Sequence, residues 1–296
     1  MADSSRQVAM RHSLVVYVLV MALAIWGWSG TGGKRLASQR PTVTRELVVQ
    51  LTVTNATARF LPDQWVTVRA PADLEGRQRL ADVKSGAQHT VTTDASGNAW
   101  VRFPLELAPY ASRTLRVRYS VRLNGAPHSQ PKRVDREPSV RFPSDQPAFR
   151  RVVEESALAS ADAEQNGRAV FNWVAGHMQA EGYIAPDLGA RYALEHGRGD
   201  CTEYMSLTTT LARSAGIPAR GMAGFIVDGD AVLDPAAYHN WSEAWFTGAW
   251  HILDVQNEAW QPDPRRYVVF RHLDGSASDP SQGLFRHSPA LEVSMR

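Results

Sequence analysis

Cysteine is nearly absent from this chain, since Cys201 is the single cysteine among 296 residues. A lone cysteine forms no disulfide within its chain, and it cannot build a thiolate zinc site, which needs several cysteines. The HExxH, GxSxG, P-loop and GxGxxG patterns are also missing, which argues against the common metalloproteases, serine hydrolases and nucleotide-binding proteins. The sequence therefore predicts no metal and no other cofactor.

The chain also has little net charge, a formal +2 at neutral pH. That small sum hides two halves of opposite sign, because residues 31–150 carry a net +9 and residues 151–296 a net −8. With 44% hydrophobic and 21% charged residues, the chain has the composition of a globular protein with a sizeable core. The charge asymmetry predicts two different domains.

An uncharged stretch lies near the N-terminus, beginning at Leu14 and ending at Trp28. It follows the basic residues Arg6 and Arg11, as in a signal peptide or signal anchor. No clear cleavage site follows, so an uncleaved single-pass anchor in the cell membrane is favoured over a cleaved signal peptide. Residues 1–35 are thus predicted to be an anchor and linker, with the soluble domains on the exported, periplasmic or extracellular, side.

Residues 40–125 have the alternating hydrophobicity of β-strands. The predicted strands cover residues 46–55, 64–69, 90–93, 99–103 and 114–123. Strands at this spacing without helical periodicity predict a small antiparallel β-sandwich. Residues 126–148 contain five prolines and are predicted to be a linker.

Strand 114–123 is the most regular of these, because its apolar residues alternate with arginines such as Arg116 and Arg118. A nucleic-acid-binding surface would interleave aromatic residues with the basic ones, whereas here Tyr119 falls on the apolar face. We therefore expect no nucleic-acid partner. Anionic lipid headgroups or the acidic second half are the more plausible partners of the arginines.

The acidic second half, residues 149–296, is predicted to mix helices with strands in an α+β fold. Helical periodicity covers residues 149–163 and 164–181. A third helix is predicted to begin at Cys201, because Asp200 is a good N-cap and Glu203 completes a capping box. The partial positive charge of a helix N-terminus favours a thiolate, the nucleophilic form of cysteine.

A nucleophilic thiolate needs a base, and a predicted hairpin supplies a candidate. Residues 238–246 and 250–255 alternate as two strands that are joined by a tight turn. In that register His239 is the diagonal neighbour of Asp254 on one face of the hairpin. His239 can then act as the base for Cys201, with Asp254 orienting its ring.

Four motifs in this half resemble the transglutaminase-like superfamily, and particularly its bacterial exported members. They are Gly199-Asp-Cys-Thr-Glu203, Gly216-Ile-Pro-Ala-Arg220, His239-Asn-Trp-Ser-Glu243 and Asp254. They fall in family order and at family spacing over about residues 149–260. The chain departs from the family after Asp254, where many members have proline and this chain has Val255.

The resemblance implies a papain-related α+β domain in which Cys201 is the nucleophile, His239 the general base and Asp254 the orienting group. It implies acyl transfer on an amide of a polypeptide or other envelope substrate, with peptide hydrolysis or deamidation favoured over crosslinking. The alternative is a non-catalytic envelope protein that uses the same domain to bind a polypeptide or glycan.

Four further residues are expected to shape the site. Asp200 caps the helix that carries Cys201, and Gly199 leaves room for a close approach of the substrate to the backbone. Trp241 is expected to cover the His239–Asp254 pair and to limit the access of water. Glu243 is expected to be a structural hydrogen-bond partner. For the oxyanion, the backbone N–H of Cys201 is a candidate donor, and no side-chain donor is identified.

Overall fold

The strands of the basic half form two sheets that enclose one core. This computed structural model describes residues 41–273 and 283–296, so the predicted anchor at 14–28 lies outside the described residues. No helix in the described ranges is long and apolar enough to cross a membrane. The strands of the basic half are β1 (Val43–Thr54), β2 (Leu61–Ala70), β3 (Gln78–Ser85), β4 (Thr90–Thr93), β5 (Ala99–Leu107) and β6 (Ser112–Leu123).

The alternation of apolar and charged residues predicted for residues 114–123 is confirmed in β6. Every second residue of β6 from Leu115 to Leu123 is buried, and its four arginines are exposed. β6 pairs with β1 along its whole length and with β3 on its other side. β2 and β5 pair in the second sheet, and their buried residues meet those of β1 and β6 in one cluster. Two antiparallel sheets facing one core are the arrangement of a β-sandwich.

The acidic half contains four helices within the described residues. They are α1 (Pro147–Glu155), α2 (Ala163–His177), α3 (Gly189–His196) and α4 (Cys201–Ser214). Its strands are β7 (Gln179–Ala180), β8 (Arg198–Gly199), β9 (Ala219–Ile226), β10 (Ala231–Val232), β11 (His239–Phe246), β12 (Ala249–Asp254), β13 (Ala259–Trp260), β14 (Tyr267–Leu273), β15 (Phe285–His287) and β16 (Glu292–Met295). The central sheet has the order β13-β12-β11-β9-β14, and α4 packs against β9 and β11. The fold is therefore mixed α+β with several largely antiparallel sheets.

Two helices are shorter than their periodicity predicted. The helix predicted over 149–163 ends at Glu155, because Ala157 takes a left-handed backbone with a φ of 50°, and Asp162 is extended and caps α2 through the N–H of Gln165. An N-cap residue cannot also continue a preceding helix. The helix predicted over 164–181 ends at His177, where the chain becomes extended and β7 pairs with β8.

Strands from the acidic half complete both sheets of the basic half. β10 and β16 pair with β1, and β15 pairs with β2. Phe225, Val268, Phe270 and Leu291 belong to the same buried cluster as the sandwich residues. The described residues of the predicted ranges 40–125 and 149–296 thus share a hydrophobic core and lie in one compact unit.

The proline-rich stretch 126–148 is packed along this unit. Phe142 is fully buried in a cluster with Met205 and Leu273. The carbonyl oxygens of Pro127 and Ser129 accept hydrogen bonds from the backbone and the indole N–H of Trp250. The stretch therefore connects the two halves and also contributes to the core of the second.

Candidate active site

Cys201 occupies the first position of α4, as the capping signals predicted. Asp200 has an extended backbone, and its carboxylate accepts a hydrogen bond of 2.7 Å from the N–H of Thr202. The other carboxylate oxygen accepts from the N–H of Ile184 at 2.9 Å. Asp200 is thus held by two segments, and it fixes the turn from which Cys201 projects.

The side chain of Glu203 occupies the space next to Gly199. A Cβ atom at this position would collide with the side chain of Glu203, whereas the sequence suggested room for substrate. Glu203 is fully buried and accepts hydrogen bonds from the backbone N–H groups of Asp200 and Leu188. Burial, together with the nearby Asp200 carboxylate, raises the pKa of Glu203 to about 7. Gly199 is therefore required for packing of the capping box beneath Cys201.

The hairpin of β11 and β12 has the predicted register. Phe246 pairs with Ala249 across the tight turn, and Ser242 pairs with Leu253. His239 and Asp254 meet at the open end of this hairpin, with 2.8 Å between His239 Nε2 and Asp254 Oδ1. The predicted diagonal pairing of these two side chains is thus present.

Asp254 is buried and has three partners. Besides His239, Asp254 Oδ2 accepts a hydrogen bond of 2.8 Å from Asn257 Nδ2 and one of 3.0 Å from the Tyr267 hydroxyl. Burial beside Asp254 raises the pKa of Tyr267, so this hydroxyl remains a neutral donor. No sequence motif points to Asn257 or Tyr267. Together they fix the carboxylate that faces the imidazole.

The His239 ring lies between Asp254 and Cys201. Burial lowers the pKa of His239, but hydrogen bonds to Asp254 and Cys201 outweigh this effect and raise the pKa to about 9. Because Nε2 faces Asp254, Nδ1 is the nitrogen left for the thiol. The structure thus brings Cys201, His239 and Asp254 together, with a protonated imidazole beside the sulfur at neutral pH.

Trp241 packs beside this group, and the limit on water access expected of it stays a prediction. Its indole is buried and lies nearly parallel to the His239 ring, with 6.4 Å between the ring centroids. On its other side it meets Tyr267 edge-on at 5.1 Å. Trp241 thus forms a buried aromatic neighbour of the His239 ring and of Tyr267.

A cavity of about 560 Å³ opens beside Cys201. Its wall includes Thr202, Asn240, Tyr238 and Arg271 in addition to the cysteine. This volume is in the range of small-molecule and peptide side-chain sites. Within the described ranges, no group of three or more His, Cys, Asp or Glu side chains is arranged to hold a metal ion.

Glu243 lies in a buried ion-pair cluster rather than at the cavity. Its carboxylate is 2.9 Å from Arg77 Nε and 2.7 Å from a terminal nitrogen of Arg220. Burial alone would raise the pKa of Glu243, but Arg77 and Arg220 lower it to about 2. Arg77 also donates to the backbone carbonyl of Tyr267, at 2.8 Å. Glu243 therefore lies beneath the site and is connected to the basic half through Arg77. No pattern in the sequence points to this arginine.

Arg77→Met is expected to lower the free energy of unfolding by about 3–5 kcal/mol, because it removes one partner of a buried ion pair. Denaturant unfolding monitored by tryptophan fluorescence measures this change. Arg79→Met is the matched control, since Arg79 is exposed two residues further along and should change stability by less than about 0.5 kcal/mol. Equal effects of the two substitutions would contradict the assigned role of Arg77.

The same ion pair gives stability a defined pH dependence. The pKa of Glu243 is about 2 in the folded chain and 4.5 for an ordinary glutamate. Its contribution is therefore fully present above about pH 4.5 and is lost as the pH falls toward 2. In Arg77→Met, the loss of stability over this interval should be smaller than in the unmodified protein.

One family model and several solved structures are similar to this chain. Residues 150–255 match the family model of the transglutaminase-like superfamily. Among solved structures, the chain is similar to a candidate cysteine protease from Cytophaga hutchinsonii, with 14% identity, a TM-score of 0.63, and 87% of this chain and 90% of that chain covered. It is also similar to the periplasmic domain of TgpA from Pseudomonas aeruginosa, with 17% identity, a TM-score of 0.38, and 70% and 87% covered. No curated protein matches the chain significantly. The first structure shares the fold of this chain.

Proposed function

We propose that the transglutaminase-like domain of this chain is a cysteine hydrolase that acts on an amide. The observation that carries the proposal is the contact of a buried carboxylate with an imidazole, 2.8 Å between Asp254 and His239, beside the thiol of Cys201. This order of groups is that of nucleophile, base and orienting acid in acyl-transfer enzymes. The name of the Cytophaga hutchinsonii protein, a candidate cysteine protease, is consistent with the same chemistry.

In the proposed reaction, Cys201 Sγ attacks the carbonyl carbon of the amide and forms a tetrahedral intermediate. The C–N bond then breaks, and the His239 imidazolium gives its proton to the leaving amine, which leaves a thioester on Cys201. Neutral His239 next takes a proton from water, whose oxygen attacks the thioester and forms a second tetrahedral intermediate. Its C–S bond then breaks, which releases the acid and restores the thiolate beside the imidazolium.

We favour hydrolysis or deamidation over transfer to an amine. Hydrolysis needs only water as its second reactant, whereas transfer needs a second binding site that holds an amine and keeps water out. The cavity beside Cys201 supplies a site for one substrate group. The proposed substrate is therefore the amide of a polypeptide or of another envelope component.

The proposed location of the enzyme is the cell membrane, with the catalytic domain on the exported side. The uncharged stretch 14–28 follows a basic segment and contains Trp26 and Trp28 at its end, a composition suited to a membrane interface. This part of the proposal depends on sequence alone.

Alkylation of Cys201 by iodoacetamide at different pH values tests the proposed function. Because His239 stays protonated up to about pH 9, the unmodified protein should react rapidly even at about pH 6. In His239→Ala the rate should instead increase with pH like that of an ordinary thiol. The chain has one cysteine, so all alkylation reports on this site. Identical profiles for the two proteins would favour a non-catalytic binding domain.

The protonation state of His239 also limits amide cleavage at high pH. Since the leaving amine takes its proton from the imidazolium, cleavage of a peptide p-nitroanilide should decrease as the pH rises through about 9. Acylation by p-nitrophenyl acetate should lack this dependence, because p-nitrophenolate leaves without a proton.

A further inference from the structure

The residue after His239 also contacts the reacting sulfur. Asn240 Nδ2 lies 3.4 Å from Cys201 Sγ and 2.9 Å from Thr202 Oγ1. A thiolate only accepts hydrogen bonds, so the amide must present an N–H to it. The bond to Thr202 uses the other N–H and fixes the plane of the amide.

The strand holds this amide rigidly. Asn240 pairs with Ala223 in the register of β11 and β9. Two residues along β11, the Ser242 hydroxyl bonds to Thr209 at 2.9 Å and to the carbonyl of Met205 at 3.1 Å. Asn240 and Ser242 thus share the strand face that packs on α4. A donor on a rigid strand, fixed against the helix that carries the nucleophile, is preorganised for catalysis.

Asn240 also lies on the substrate side of the sulfur. It lines the cavity together with Cys201 and Thr202, whereas His239 is on the opposite strand face with Trp241. The carbonyl oxygen of a bound acyl group is bonded to the carbon that Sγ attacks. A donor that already contacts Sγ from the cavity therefore reaches positions which that oxygen can occupy.

We propose that Asn240 is a catalytic residue that donates a hydrogen bond to the oxyanion, with the backbone N–H of Cys201 as the second donor. This inference rests on the proposed function of the Cys201 site. When the Sγ–C bond forms, the electron pair of the C=O π bond moves to oxygen. The Asn240 N–H then donates to this negatively charged oxygen instead of to Sγ. When the C–N bond breaks, the C=O bond is restored and the N–H is released. The Cys201 N–H is at the first position of α4, where backbone donors have no partner within the helix.

Two reagents separate an oxyanion donor from a residue that only stabilises the thiolate or the fold. Attack on p-nitrophenyl acetate forms an oxyanion, whereas displacement of iodide from iodoacetamide does not. We expect Asn240→Ala to reduce the rate of Cys201 acetylation, followed by intact-protein mass spectrometry, by about 10²–10³-fold. Alkylation by iodoacetamide should decrease by a much smaller factor, because it loses only the contact of this N–H with Sγ and forms no oxyanion.

Asn240→Asp is the isosteric companion, because it keeps the size of the side chain and removes the N–H donor. It should lose acetylation to at least the same extent as Asn240→Ala, with an unchanged melting temperature. The proposal is overturned if both variants acetylate normally, or if alkylation and acetylation decrease by the same factor. Absence of acetylation in the unmodified protein would instead refute the proposed function itself, so the two failures are distinguishable.

Discussion

Cys201→Ala is expected to abolish formation of the acyl-enzyme and to lower amide cleavage by at least about 10⁴-fold. The reason is that the chain has no second cysteine, and the proposed thioester can form only on this sulfur. Acetylation by p-nitrophenyl acetate, measured as a mass increase of the intact protein, should disappear. Cleavage of a peptide p-nitroanilide should fall to the uncatalysed rate.

The fold should tolerate this substitution. Cys201 is partly exposed at the mouth of the cavity, and its backbone is held by the capping box of Asp200 and Glu203 rather than by its side chain. The melting temperature of Cys201→Ala should therefore match that of the unmodified protein. If the variant keeps its activity on any substrate, Cys201 is not the nucleophile.

Asp254→Asn is expected to have the second largest effect, a loss of about 10⁴-fold in amide cleavage. The Asp254 carboxylate accepts hydrogen bonds from His239, Asn257 and Tyr267. The NH₂ group of an asparagine would instead face some of these N–H and O–H groups, and no hydrogen bond could form there. The imidazolium would lose its nearest negative charge, and the ring would lose its orientation. The pH at which His239 deprotonates should then decrease from about 9, which the alkylation profile would report.

Tyr267→Phe is the matched control for this prediction. It removes one hydrogen bond to the same carboxylate but leaves both the charge and the contact with His239. We expect a loss of about tenfold, because Asn257 remains as a donor and the lower end of the range for a hydrogen bond to a charged group, about 1.5 kcal/mol, corresponds to about that factor. Similar losses in Asp254→Asn and Tyr267→Phe would indicate that Asp254 acts through packing rather than through its charge.

The parts of the site that the sequence predicted are local in the chain. Asp200, Cys201 and Glu203 lie within one helical turn, and their capping pattern fixes where α4 begins. The length of the hairpin turn fixes which residues pair across the two strands. This register places His239 diagonally opposite Asp254. Both features could therefore be predicted without knowledge of the tertiary fold.

The parts that the sequence did not predict come from remote segments or from an opposite face. Arg77 is far from Glu243 in the chain, and an arginine beside a turn gives no sign of being buried. Asn240 follows His239 directly, and strand alternation alone places it on the other side of the sheet. Its contact with Cys201 depends on the packing of α4 on that side, which the strand pattern does not predict. The short strands β10, β15 and β16 have too few residues for a periodic signal.

The two halves of the chain share one hydrophobic core, so the loss of one half would expose apolar surface of the other. A fragment that retained only residues 149–296 would contain every residue of the proposed triad. It would expose the apolar surfaces of Phe225 and Phe270, and Glu243 would lose Arg77. Such a fragment would aggregate or be degraded before it could act. The Cys201 thiol is thus tied to an intact polypeptide, because proteolytic removal of the basic half would also remove the support of the domain that carries it.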